Sequence, residues 1–173
     1  MSIAGDDLPV QVTHIPGITR VRYTNSSKQD VRLVTAGEDH LVRLLPSEPT
    51  ATDVIPLVME DATQNISWIE ANNKYLVTAS EDGAVRLYQH ALQSEDDPQK
   101  ATSCIRIVRR EVLPVRCVSL ERATESPRAA ICSDELIIRV ASVEDPRQIT
   151  LLTGHTRGVR AASWSPIFPL LVS

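Results

Sequence analysis

Aromatic side chains are scarce in this chain: two Trp, three Tyr and one Phe among 173 residues. Any core must therefore rest on Val, Leu, Ile and Ala, and at 42% hydrophobic the chain has enough of them. Long apolar runs are missing too. No stretch approaches the roughly 18 apolar residues of a membrane-spanning helix, and Asp6 and Asp7 stand where a secretion signal needs an apolar run. There is no excess of positive charge; the net charge is −4, which argues against a dedicated nucleic-acid binder, because neutralising phosphates needs a concentrated basic surface. Cysteine is limited to Cys104, Cys117 and Cys132, with no Cys-x-x-Cys pair to suggest zinc. An odd count suits a reducing compartment, with the thiols acting as small buried hydrophobes. The six glycines are scattered, without a Gly-x-Gly-x-x-Gly phosphate loop, and there is no nucleophile elbow around a serine. The paired carboxylates Asp6-Asp7 and Asp96-Asp97 fall in polar stretches and read as solvated loop charge. No cofactor, metal, membrane or small-molecule substrate is expected.

What the chain does have is a recurring pattern. Residues 37–44 read Gly-Glu-Asp-His-Leu-Val-Arg-Leu, residues 80–87 Ser-Glu-Asp-Gly-Ala-Val-Arg-Leu, and residues 133–140 Ser-Asp-Glu-Leu-Ile-Ile-Arg-Val. Each is a small residue, two acids, two variable positions, then apolar-Arg-apolar. Arg43, Arg86 and Arg139 lie 43 (86−43) and 53 (139−86) residues apart. Short strands repeating at that spacing mark propeller blades. Alternation such as Val42-Arg43-Leu44 predicts a half-buried strand with Arg outward. An apolar run precedes each acidic turn, at 31–36, 75–79 and 129–132, so each copy predicts a hairpin. Asp39 and Asp82 would hold these turns by accepting backbone N–H bonds, with Glu135 in the third copy.

A second landmark sets the register. His14-x-x-Gly17-Ile18 parallels His155-x-x-Gly158-Val159, and residues 114–120 parallel residues 158–164. Residues 65–68 begin the second copy. Residues 54–58, 104–108 and 149–152 are expected as fourth strands, and the polar stretches 25–30, 47–53, 90–100, 121–127 and 144–147 as loops. The predicted fold is all-β, an incomplete propeller of about three four-stranded antiparallel blades with partial flanking strands. Its expected parts are an outer strand of a preceding blade at 1–13, blades at 14–60, 61–110 and 111–154, and the start of a truncated fourth at 155–173. A piece of this kind is expected to be a fragment that exposes strand edges and core side chains.

Gly154-His155 and Ser80-x-Asp82-Gly83-x-x-Arg86-Leu87-Tyr88 resemble the landmarks of the WD-repeat family. In that family a His, a Ser or Thr, the turn Asp and a Trp form a buried network in each blade. The resemblance implies this role for His14, Thr35 and Asp39 in the first blade, with Leu45 in the Trp position. In the second it implies Thr78, Asp82 and Tyr88, with Ala62 in the His position, and His155 opens the fourth. The third has Glu111, Ile131, Glu135 and Ala141 and matches none of the four. Half-satisfied networks stabilise little, so the blades are expected to rest on apolar packing. Residues 133–140, followed by Gly154-His155-Thr156-x-Gly158-Val159 and Ser163-Trp164-Ser165-Pro166, are similar to the amino-terminal propeller of the replisome adaptor family. That family includes the fungal minichromosome-loss and chromosome-transmission-fidelity proteins and the animal acidic nucleoplasmic DNA-binding protein.

The resemblance implies a nuclear, non-catalytic scaffold in DNA replication and sister-chromatid cohesion, with replisome or chromatin components as partners. The alternatives are a WD-repeat adaptor in ubiquitin ligation, trafficking or ribosome assembly, in nucleus or cytoplasm, and a propeller hydrolase. A hydrolase needs carboxylates or histidines converging on the ring axis, and no such set is marked. His14 and His155 read as buried structural histidines, and His40 and His90 as solvated turn and loop residues. Fifteen of the 18 basic residues are Arg. Arg106, Arg109, Arg110 and Arg116, with Arg157 and Arg160 on the first strand of the fourth unit, form a possible binding face for acidic peptide or, weakly, for DNA.

Overall fold

The computed structural model describes residues 17–27, 30–46, 57–72, 74–89, 106–121, 126–145 and 147–173. Every regular element among these residues is a strand. The first sheet is β1 (Ile18–Ser27), β2 (Asp30–Gly37), β3 (Val42–Pro46) and β4 (Leu57–Met59), in that order. The second is β5 (Ile66–Ala71), β6 (Tyr75–Ser80), β7 (Ala84–Gln89) and β8 (Arg106–Arg110). The third is β9 (Val115–Leu120), β10 (Arg128–Ser133), β11 (Ile138–Ser142) and β12 (Ile149–Leu152). All neighbours are antiparallel and follow chain order, so each sheet is a meander.

The sheets stack face to face, which is why their middle strands read as continuous apolar runs. All six residues of β6 are buried. Tyr75, Val77 and Ala79 pack with Val118, Leu120, Ala129 and Ile131 of the third sheet. From the opposite face of the second sheet, Leu76 and Tyr88 join Ile66, Ile69 and Ala71 against Val34, Ala36, Val42 and Leu44 of the first. The first strands are latched together by hydroxyls. Thr19 Oγ1 donates to Ile66 O at 2.6 Å, and Ser67 Oγ, its repeat counterpart, donates to Val115 O at 2.5 Å. Cys117 and Cys132 oppose each other across β9 and β10, free and fully buried. Their mutual hydrogen bond and burial push the Cys132 thiol up, so it stays protonated. Cys104 and His90 lie outside the described residues.

Several expectations change. The strand bearing Arg86 is buried on both faces, not one, with Arg86 3% exposed, whereas Arg43 and Arg139 stay partly exposed on theirs. The first hairpin is tighter than expected, since β1 runs to Ser27 and β2 begins at Asp30. The fourth unit forms only β13 (Ser163–Trp164) and β14 (Leu171–Val172), which pair with each other. Residues 158–162 are not a strand there, so Arg157 and Arg160 sit on a connector. The outer strand expected at 1–13 and the loops at 47–53 and 90–100 lie outside the described residues, as does the start of the fourth strand expected at 54–58. Among the described residues the sheets do not close on themselves. Ile18, Val21 and Tyr23 of β1 are 49, 43 and 67% exposed, whereas their repeat counterparts Ile66, Ile69 and Ala71 are covered by the first sheet.

Candidate interaction face

The three acidic turns lie along one edge of the stack, and each is locked by the arginine four residues beyond its second acid. In the second sheet Arg86 Nη2 bonds Asp82 Oδ2 at 2.6 Å, and Nη1 bonds Oδ1 at 3.2 Å and Ser80 Oγ at 2.9 Å. Ser80 also donates to Asp82, the Ala84 N–H donates to Oδ1 at 2.9 Å, and the Thr63 N–H and hydroxyl both reach Oδ2 at 3.1 Å. Burial opposes the Asp82 charge, but the Arg86, Ser80 and backbone donors outweigh it and hold the carboxyl well below its ordinary range. In the first sheet Arg43 bonds Asp39 at 2.7 Å, and the Leu41 N–H donates to the same carboxylate at 3.2 Å. In the third, Arg139 bonds Glu135 at 2.6 Å and Glu111 at 3.2 Å, and Glu111 also takes the Nε–H of Arg109 at 2.9 Å.

The sheets rest on apolar packing, as expected, and these ion pairs add to it. A guanidinium caught between two sheets, as that of Arg86 is, must be paired, and in every copy a turn carboxylate is the partner of the repeated arginine. Glu111, at the position of the family's His, is 7% exposed and joins the second sheet to the third through Arg109 and Arg139. The longer Glu135 reaches its arginine as well as Asp39 and Asp82 reach theirs.

Of the other residues of the expected network, Thr78 and His155 stand apart from the turns. Thr78 is fully buried, and its hydroxyl has no partner among the described residues; Ser80 serves Asp82 instead. Thr35 is buried opposite Arg43, and Tyr88 is buried against the first sheet. His155 is exposed and bonds Ser173 Oγ at 2.8 Å, so it is not a buried structural histidine; it sits on a connector that no sheet covers. His40 is only partly exposed, with left-handed backbone at φ 67°, where the second copy has Gly83 at φ 80°. His14 lies outside the described residues.

The candidate basic face divides in two. Arg116 bridges two turns, at 2.9 Å from Glu81 and 2.7 Å from Asp134. Its hydrogen bond to Asp134 and the charge of Glu81, set against burial, raise its pKa and lock it into the fold. Arg109 is held by Glu111. Arg110, Arg157 and Arg160 are exposed, and only Arg160 has an acidic neighbour among the described residues, Asp134 at 3.5 Å. Arg106 lies on β8, with its side chain outside the described residues. Sequence reasoning missed a further cluster, in which Arg20 and Arg22 stack on Trp68 at 4.2 and 5.5 Å from the ring centre. Arg20 and Trp68 occupy the same repeat position on adjacent first strands, and that correspondence was the available signal.

Residues 61–89, most of the second sheet, match the family described as WD domain, G-beta repeat. Over that stretch the chain is similar to a WD repeat. It is also 28% identical over 164 residues to Minichromosome loss protein 1 of Schizosaccharomyces pombe, covering 95% of this chain and 18% of that protein. It is 27% identical over 77 residues to Peroxisome biogenesis protein 7 of Arabidopsis thaliana, covering 44% of this chain and 24% of that protein. The chain thus spans less than a quarter of each of these two relatives. Its all-β architecture of stacked antiparallel meanders is that of an incomplete WD-repeat propeller.

Proposed function

We propose that this chain is part of a non-catalytic protein-interaction scaffold serving DNA replication and sister-chromatid cohesion in the nucleus, with replisome or chromatin proteins as partners. The observation that carries the reading is the reach of one similarity. Minichromosome loss protein 1 aligns with 95% of the chain, whereas the Peroxisome biogenesis protein 7 match covers 44%. The division into blades at 14–60, 61–110 and 111–154, with flanking parts at 1–13 and 155–173, belongs to the same reading. A binding role is supported by how the repeat acids are used: Asp39, Asp82, Glu111 and Glu135 are each bound to arginine within the fold. The second relative favours one other setting, an adaptor outside the nucleus.

Counting the loss of a marked, non-essential chromosome in cells depleted of the protein tests the reading. A raised loss rate is expected. Normal chromosome inheritance combined with defective peroxisome formation would transfer the assignment to the second setting.

A further inference from the structure

The edge that carries the turns also carries exposed aliphatic side chains that the core does not use. Val112 is 95% exposed, and Leu113 and Leu136 are 40 and 49% exposed. Val112 and Leu113 lie on the connector between the second and third sheets, and Leu136 in the turn of the third. Two ion pairs fasten these stretches together. Glu111, beside Val112, binds Arg139 at 3.2 Å, and Arg116 of β9 binds Asp134 at 2.7 Å. The next connector is seated on the same turn: the Val159 N–H donates to Glu135 O at 3.3 Å, and a Cβ on Gly158 would meet Asp134 O at 2.8 Å. That contact places Arg157 and Arg160 at the far rim, while Arg110 adjoins Val112 at the near one.

The charges here do not balance locally. Glu135 is held by Arg139, Glu111 by Arg109 and Arg139, and Glu81 by Arg116. Asp134 is shared between Arg116 and, more distantly, Arg160. Among the described residues no carboxylate pairs with Arg110 or Arg157. Exposed aliphatic side chains inside a cationic rim fit a partner with the opposite rim and a matching apolar centre.

We propose that Val112, Leu113 and Leu136, with Arg110, Arg157 and Arg160, dock a short peptide segment carrying carboxylates beside aliphatic or aromatic side chains. This deepens the scaffold reading and rests on it. Duplex DNA fits less well, because Asp134, Glu135 and Glu81 share the edge and repel phosphate, and aliphatic side chains interrupt the cations.

The test is biolayer interferometry with the full chain immobilised sparsely and a peptide alternating Glu and Asp with Leu and Phe as probe. Saturable binding is expected. It should weaken about tenfold in Arg110→Glu/Arg157→Glu, and again in Val112→Asp/Leu136→Asp, as expected when rim charge and centre act together. The same peptide with Lys for its acids should not bind. All substituted positions are exposed, and unchanged circular dichroism verifies that the variants fold. Failure of the acidic peptide to bind, binding indifferent to both variants, or duplex DNA binding in its place with the same arginine dependence would each overturn the proposal. If the peptide fails while depletion still raises chromosome loss, the docking face is wrong and the scaffold reading stands.

Discussion

Arg86 decides what the repeated turn is for. Its side chain is 4% exposed between two sheets, and that of its partner Asp82 is 6% exposed. Removing one member of such a pair strands the other charge. Asp82→Ala should therefore lower stability by about 3 kcal/mol, seen as an earlier urea midpoint, and Asp82→Ala/Arg86→Met should recover most of it. The depressed Asp82 carboxyl fixes a pH dependence. Its folded pKa lies below the ordinary 3.8, so its contribution is complete above that value and is lost as pH falls toward the folded one. The melting temperature of the natural chain should fall more steeply on acidification than that of Asp82→Asn. Backbone conformation sets two further outcomes. At Gly83, φ is +80° and an added Cβ would lie 2.3 Å from Glu111 O. Gly83→Ala should cost about 3 kcal/mol through overpacking and left-handed strain. His40 occupies the equivalent position at φ 67°, and His40→Gly should gain about 1 kcal/mol, read from the same denaturation curves.

At the scale of the element, the third sheet shows how a lost motif can be replaced. It lacks the family's His, hydroxyl, Asp and Trp, yet Glu111, Glu135, Arg109 and Arg139 form a continuous ion-pair chain across its boundary with the second sheet. Glu111→Ala should lower stability by about 3 kcal/mol, more than the conservative Glu111→Gln, which still accepts hydrogen bonds. The hairpins and their acidic turns were legible in the sequence because strand period and turn chemistry are local. Two-sided burial was not legible. Val85-Arg86-Leu87 looks half-buried until one knows that the first sheet lies against the arginine face. Glu111 read as a missing His for the same reason, since its partner Arg139 lies on β11 of the next sheet. The basic face was only partly legible. Sequence marks every arginine alike, and only the fold separates Arg109 and Arg116, which are paired, from Arg110 and Arg157.

Taken together, the described residues form a stack with open ends. Val21 and Tyr23 at one end, and Ile167, Phe168, Leu170 and Val172 at the other, expose apolar surface of the kind that the internal sheets bury. Each internal sheet is sandwiched, while β1 and the fourth unit each lack a neighbour on one side among the described residues. The 173-residue chain alone should therefore unfold broadly and self-associate as its concentration rises, as followed by calorimetry and sedimentation. The claim that matters most is that this stack serves a replication scaffold. Affinity purification of the tagged natural protein from cells in S phase, with quantitative mass spectrometry, tests it most directly. Replicative helicase and polymerase subunits enriched over an untagged control are the predicted result. Enrichment of peroxisome biogenesis proteins, or of nothing above the control, would contradict it.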